Sequence, residues 1–210
     1  MAIGYSVPPW QLHDAAYDMS HFSGLFILWC WALFFLFIAL SAFSVKRTVE
    51  IARGWKWSWL AMIPLAAALL FRGHVRLWPA GALGMTLWRR TPGVGAVAAL
   101  LALLGLVMAL WGRIALGRNW NIHPGLKENH EFIERGPYAC VRHPMYSGLC
   151  LMLLGTVIWF GNGAGFIFFL ACFLGTWWKL RAEEKLLTKQ FGEGYLQYKA
   201  RVKALIPFVL

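Results

Sequence analysis

This sequence predicts an all-α, polytopic membrane protein with about five transmembrane helices. Three observations lead there. Of the 210 residues, 60% are hydrophobic and only 14% are charged, far from the balance of a soluble domain. The apolar residues gather into long runs separated by short polar stretches. Thirteen tryptophans are available for the two membrane–water interfaces. The length allows one domain, 1–210, with N-terminal spans in 1–118 and a polar, chemistry-bearing region in 119–210.

Residues 1–21 are polar and aromatic, with Asp14 and Asp18 but no Lys or Arg, and they show neither a basic leader nor a cleavage site. Residues 22–45 form 24 uncharged positions, enough to cross a hydrocarbon core about 30 Å thick. Lys46, Arg47, Arg53 and Lys56 follow at once and place that end in the cytoplasm. The run at 57–71 is 15 residues long and contains Pro64; it reads as a kinked span, or as a buried or re-entrant segment. Residues 77–88 are too short to span and read as an interfacial helix or loop. Residues 94–116 form another span, ending in Arg113 and Arg118.

Two short apolar runs come next, 145–160 and 164–178, joined by Gly161-Asn162-Gly163. That tripeptide marks a tight helical hairpin, and the second helix is expected to continue out of the membrane to Phe191. Gly148, Gly155 and Gly165 on this hairpin either let helices approach closely or leave a cleft. With the N-terminus outside, 16 of the 20 Lys and Arg fall on the cytoplasmic side: four at 46–56 and twelve from Arg113 onward. This asymmetry accounts for the net charge of +11 better than nucleic-acid binding does, because the basic residues lie between apolar spans.

Cys30, Cys140, Cys150 and Cys172 form no CxxC pair, so neither a disulfide framework nor a zinc site is expected. His123, His130 and His143 match no common metal spacing.

The densest polar island is Arg135-Gly136-Pro137-Tyr138-Ala139-Cys140-Val141-Arg142-His143-Pro144-Met145-Tyr146-Ser147-Gly148. Its prolines and glycines set turns, and its arginines, histidine and tyrosines supply donors for an anionic ligand. Beyond the hairpin come Lys179-Leu180-Arg181-Ala182-Glu183-Glu184, then Phe191-Gly192-Glu193-Gly194-Tyr195-Leu196-Gln197-Tyr198, and finally Val202 and Ile206-Pro207. Lys179 and Glu183 are four residues apart and share a helical face, so both can point at one ligand. Tyr195, Tyr198 and Val202 mark an amphipathic C-terminal helix expected to serve packing.

The order of these motifs resembles the isoprenylcysteine carboxyl methyltransferase and phospholipid methyltransferase superfamily, integral membrane enzymes that use S-adenosylmethionine. The resemblance runs from Asn119 to the C-terminus, and five motifs recur in order. It implies a cofactor-binding loop, which the Lys and Arg count places in the cytoplasm, and a lipophilic methyl acceptor, either a prenylcysteine-like carboxylate or a phospholipid amine. The cofactor contacts it implies are His123, His130, Glu131, Phe132, Ile133, Tyr138, His143, Pro144, Met145, Tyr146, Lys179 and Glu183. Lys179 stands where some relatives have Arg, and His123 where a relative has Gln. Arg142 and Glu184 are the expected catalytic pair, with Glu184 open to three roles: a base, a partner of Arg142, or a solvated carboxylate. No metal is implied. An alternative resemblance, to NADPH-dependent sterol-type reductases, rests on Arg-His-Pro-x-Tyr and a closing Tyr-x-x-Arg-Val. A non-catalytic transport protein is disfavoured, because the spans at 22–45, 145–160 and 164–178 carry no deep charge.

Overall fold

The computed structural model describes residues 9–51, 85–120, 125–127 and 131–207. Five α-helices organise them: α1 (Pro9–Ser41), α2 (Pro92–Leu116), α3 (Pro144–Phe160), α4 (Gly163–Phe191) and α5 (Glu193–Arg201). Three stretches are long and apolar enough to cross a membrane, namely His21–Ser41, Pro92–Asn119 and Gly163–Phe191; Pro144–Phe160 is apolar but shorter. The outward faces are apolar too. Leu28, Trp29, Phe35 and Leu36 on α1 and Leu100, Val107 and Ile114 on α2 are exposed, a surface that suits lipid and not water. The protein is an integral membrane protein. The expected segment at 57–71, and residues 77–84 of the one expected at 77–88, lie outside the described residues.

Local chemistry explains where the helices start and stop. Thr91 caps α2 by accepting from the Val94 amide at 3.3 Å, and Pro92 fills the first turn, where no amide partner is needed. Pro144 opens α3 in the same way. Gly161 ends α3 in the left-handed region (φ 63°), and the Asn162 side chain accepts from the Gly165 amide at 2.8 Å to start α4. The predicted Gly161-Asn162-Gly163 turn is therefore the observed one. α4 runs unbroken to Phe191, and Gly192, at φ 53°, turns the chain into α5.

α2 and α3 pack along a seam of small residues. Ala98, Ala102, Gly105, Ala109 and Gly112 recur at alternating four- and three-residue steps, and Gly148 and Gly155 face them. A Cβ on Gly105 would lie 2.5 Å from the Gly148 carbonyl, and one on Gly155 would lie 2.5 Å from the Ala98 carbonyl. In a bilayer, where burying apolar surface gains little, such backbone contact supplies the attraction. Gly148 and Gly155 thus serve close packing and do not open the cleft that was the other reading. Gly165 lies in the first turn of α4, against Asn162 and Val157.

α1 joins this core through Ile27, Cys30 and Phe34. Arg113, buried in the last turn of α2, donates to Ser41 O and Gly117 O at 2.7 Å each, so α1 and α2 end side by side. At that same end Lys46 N donates to Arg118 O, and a short antiparallel ribbon pairs Thr48–Ile51 (β1) with Gly125–Lys127 (β2). The ribbon is a small addition to the all-helical expectation. At the opposite end, residues 85–88 pin the α3–α4 turn: Leu87 N donates to Gly161 O at 2.8 Å and Trp88 Nε1 to Ile158 O at 2.9 Å. Ile51 and Met85 therefore stand at opposite ends of the bundle.

Candidate functional site

The site forms at the end of the bundle where α1 and α2 stop. Just before α3, Val141 forms a parallel bridge with Lys203. The Arg142 amide donates to Lys203 O at 2.8 Å, and the His143 amide to Ala204 O at 3.0 Å. Ser147 Oγ adds a bond to Leu205 O at 2.6 Å. The C-terminal segment after α5 is thus stitched alongside the start of α3, with Ala204 and Leu205 buried against Leu180 of α4.

A buried charge cluster holds this junction. The Arg142 guanidinium donates to Glu184 Oε1 from Nη2 (2.6 Å) and Nε (2.9 Å), and its Nη1 reaches the Lys199 and Val202 carbonyls. Lys199 Nζ is 2.7 Å from Glu184 Oε2, and His143 Nε2 is 3.4 Å from Oε1. The side chains of Arg142 and Glu184 are only 9% and 4% exposed. Burial alone would raise the Glu184 carboxyl, but hydrogen bonds from His143, Lys199 and Arg142 outweigh it and hold the group well below the usual carboxylate range. Glu184 lies beyond the apolar part of α4, which ends near Trp178. Of its three roles left open by sequence, the geometry shows the partner of Arg142.

A second cluster adjoins the first and shares His143 with it. Tyr146 Oη donates to Glu183 Oε1 at 2.5 Å, and His143 Nδ1 lies 3.8 Å from Glu183 Oε2. The His143 and Tyr146 rings are stacked, 5.7 Å apart, and the Lys179 ammonium lies 5.2 Å from the centre of the Tyr146 ring. Lys179 and Glu183 do share a face, and both meet Tyr146. A cation, a carboxylate, an imidazole and a phenol therefore converge where α3 begins and α4 leaves its apolar stretch.

The remaining predicted residues are distributed around these clusters. Phe132 stacks on Phe191 (5.2 Å) and borders Tyr195 and Tyr198 of α5. Glu131, Phe132, Ile133, Glu134 and Arg135 line a recess of about 350 Å³. Glu131 itself pairs with Lys46 at 2.9 Å. Tyr138 is buried, its hydroxyl 3.4 Å from Gly112 O, and its own carbonyl accepts from Tyr198 Oη at 2.7 Å. Pro144 and Met145 pack against Gly112 of α2. His123 and His130 lie outside the described residues. Among the described residues no cluster of His, Cys, Asp and Glu is arranged to hold a metal. Sequence reasoning did not single out Lys199 or Ser147, because their partners, Glu184 and Leu205, become neighbours only through the tertiary fold.

Residues 94–194, from the apolar start of α2 to the beginning of α5, match the phospholipid methyltransferase family. That region is 101 of the chain's 210 residues, just under half. It contains both charge clusters apart from Lys199. The chain is also similar to protein-S-isoprenylcysteine O-methyltransferases: 29% identical over 122 residues to the Xenopus laevis protein, covering 52% of this chain and 41% of that one. It is 30% identical over 116 residues to the B form of Arabidopsis thaliana, covering 52% and 57%. With the Schizosaccharomyces pombe protein the identity is 35% over 86 residues, covering 39% and 35%. The alignments thus span about half the length of these relatives or less.

Proposed function

We propose that this chain is an integral membrane methyltransferase that moves a methyl group from S-adenosylmethionine to a lipophilic acceptor bearing a carboxylate. The observation that carries this reading is the convergence of Lys179, Glu183 and His143 on Tyr146, beside a Glu184 that is fully engaged. The donor set suits the cofactor: Lys179 for its carboxylate, Glu183 for its ammonium or ribose diol, and the aromatic surface around Phe132 for its adenine. When bound, S-adenosylmethionine supplies an electrophilic methyl on a sulfonium. The protein's share of the work is then orientation and exclusion of water, because transfer is an in-line displacement that positioning accelerates.

The acceptor class follows from the charges. A carboxylate is ionised at neutral pH and needs no proton removed, whereas an ammonium would need a base. Glu184 has both oxygens committed to Arg142, Lys199 and His143, and Glu183 accepts from Tyr146. Arg142 and Glu184 thus act as positioning residues that hold the C-terminal segment beside the cofactor. The relatives' names, all isoprenylcysteine O-methyltransferases, favour the same acceptor and favour methyl transfer over hydride reduction. The Lys and Arg asymmetry supports an external N-terminus with the site and C-terminus cytoplasmic, the whole chain working as one membrane domain.

The test supplies methyl-labelled S-adenosylmethionine to the purified protein in bilayers, with a farnesylcysteine carboxylate or with phosphatidylethanolamine. A base-labile methyl ester on the prenylcysteine is expected. Label on the amine alone would overturn the acceptor assignment.

A further inference from the structure

Tyr195 sits on α5 with 1% of its surface exposed. Among the described residues, the buried side-chain polar atoms without a protein partner are its hydroxyl and Nε of Arg113. The two cases differ. Arg113 is anchored by both terminal nitrogens, on Gly117 O and Ser41 O, so the unpaired Nε belongs to a group already held. The hydroxyl is the only polar atom of the Tyr195 side chain. Three residues on, the hydroxyl of Tyr198 is satisfied by Tyr138 O at 2.7 Å. One tyrosine of the pair is thus built into the fold, and the other carries a buried hydroxyl with no partner. Buried hydroxyls are almost always paired, and phenylalanine would fill the same space without the cost.

The surroundings indicate what pairs with it. The Tyr195 ring is 5.8 Å from Phe132 and 6.0 Å from Tyr198, and Phe132 stacks on Phe191. Phe132 also lines the recess of 131–135. Flat apolar faces beside one polar atom suit a heteroaromatic ring with ribose attached, whose nitrogens and hydroxyls can each bond a phenol. Burial, with Glu184 and Glu183 nearby, pushes the hydroxyl's titration upward, so it stays protonated as a donor at neutral pH. The charged amino-acid end of a methyl donor finds its partners elsewhere, at Lys179 and Glu183.

We infer that Tyr195 is a ligand-reading residue whose hydroxyl hydrogen-bonds the nucleoside half of the bound methyl donor. This deepens the cofactor reading above and rests on it.

The experiment titrates the full chain and Tyr195→Phe calorimetrically with S-adenosylhomocysteine and with methylthioadenosine, which lacks the amino-acid end, and melts both proteins without ligand. The expected result is an affinity loss of about 10-fold for both compounds, with the melting temperature of the ligand-free variant unchanged or raised. Unchanged affinities with a raised melting temperature would overturn the inference, leaving the hydroxyl a mere orphan. A loss confined to S-adenosylhomocysteine would overturn the nucleoside assignment. A lowered melting temperature would overturn it in favour of a role in holding the fold. A wild-type protein that binds neither compound would overturn the cofactor reading itself, a result distinguishable from the other three.

Discussion

Replacing Glu184 by glutamine should loosen the C-terminal segment from the start of α3. Glu184 faces Arg142 through two short bonds, at 2.6 and 2.9 Å, both partners almost fully buried. Glutamine keeps one acceptor oxygen but leaves the guanidinium uncompensated, a change that costs about 3–5 kcal/mol at buried pairs. The Arg142 bonds to the Lys199 and Val202 carbonyls survive, which argues for the low end, about 3 kcal/mol. The Lys199 arm is 39% exposed and adds less than about 1 kcal/mol. Thermal unfolding in detergent measures the total, and hydrogen exchange at the Arg142 and His143 amides measures the local release, because both donate to the C-terminal segment. Exchange there should speed up on the order of a hundredfold. The double replacement Arg142→Met with Glu184→Met should recover at least about 2 kcal/mol relative to the summed single changes. A loss under about 1 kcal/mol for Glu184→Gln, with exchange unchanged, would refute the idea of a buried clamp.

Acid should weaken the same junction. Glu184 titrates below its ordinary value in the folded protein, so its contribution is complete above the ordinary value of 4.5 and fades as pH falls below it; Glu184→Gln should lose less stability than wild type over that range in melts taken at stepped pH. Gly105→Ala should cost about 3 kcal/mol, the upper part of the overpacking range, because its Cβ would meet the Gly148 carbonyl and Met152 amide at 2.5 and 2.7 Å; melting that matches wild type would show the α2–α3 seam to be looser than described. Fused to the C-terminus, a reporter active only outside the cytoplasm should stay silent, and activity there would reverse the orientation.

Much of this arrangement can be read in the chain because membrane helices are local objects. The apolar run at 94–116, the Gly161-Asn162-Gly163 turn and the passage of α4 into its charged half all depend on residues near one another in sequence. The face shared by Lys179 and Glu183 follows from helical period alone, and both residues meet Tyr146. What escaped reading is long-range. Nothing in the spacing of Val202 to Leu205 says that this segment lies beside Arg142 and His143, some 60 residues earlier, and so nothing says that Glu184 is consumed by that junction. Gly148 left two readings open because a missing side chain signals either a gap or a close contact, and only the partner helix, with Ala109 and Gly105 opposite, decides between them. Tyr195 and Tyr198 share a pattern and differ only in whether a carbonyl from Tyr138 reaches them.

Calorimetric titration of the purified protein with S-adenosylhomocysteine, beside Glu183→Ala and with NADPH as the competing ligand, tests the central claim most directly. Wild type should bind S-adenosylhomocysteine and not NADPH, and Glu183→Ala should weaken that binding by about 1–3 kcal/mol, as expected for a lost charged hydrogen bond. Binding of NADPH in its place, or equal affinity in wild type and variant, would contradict a methyl-donor site built around Tyr146, Lys179 and Glu183.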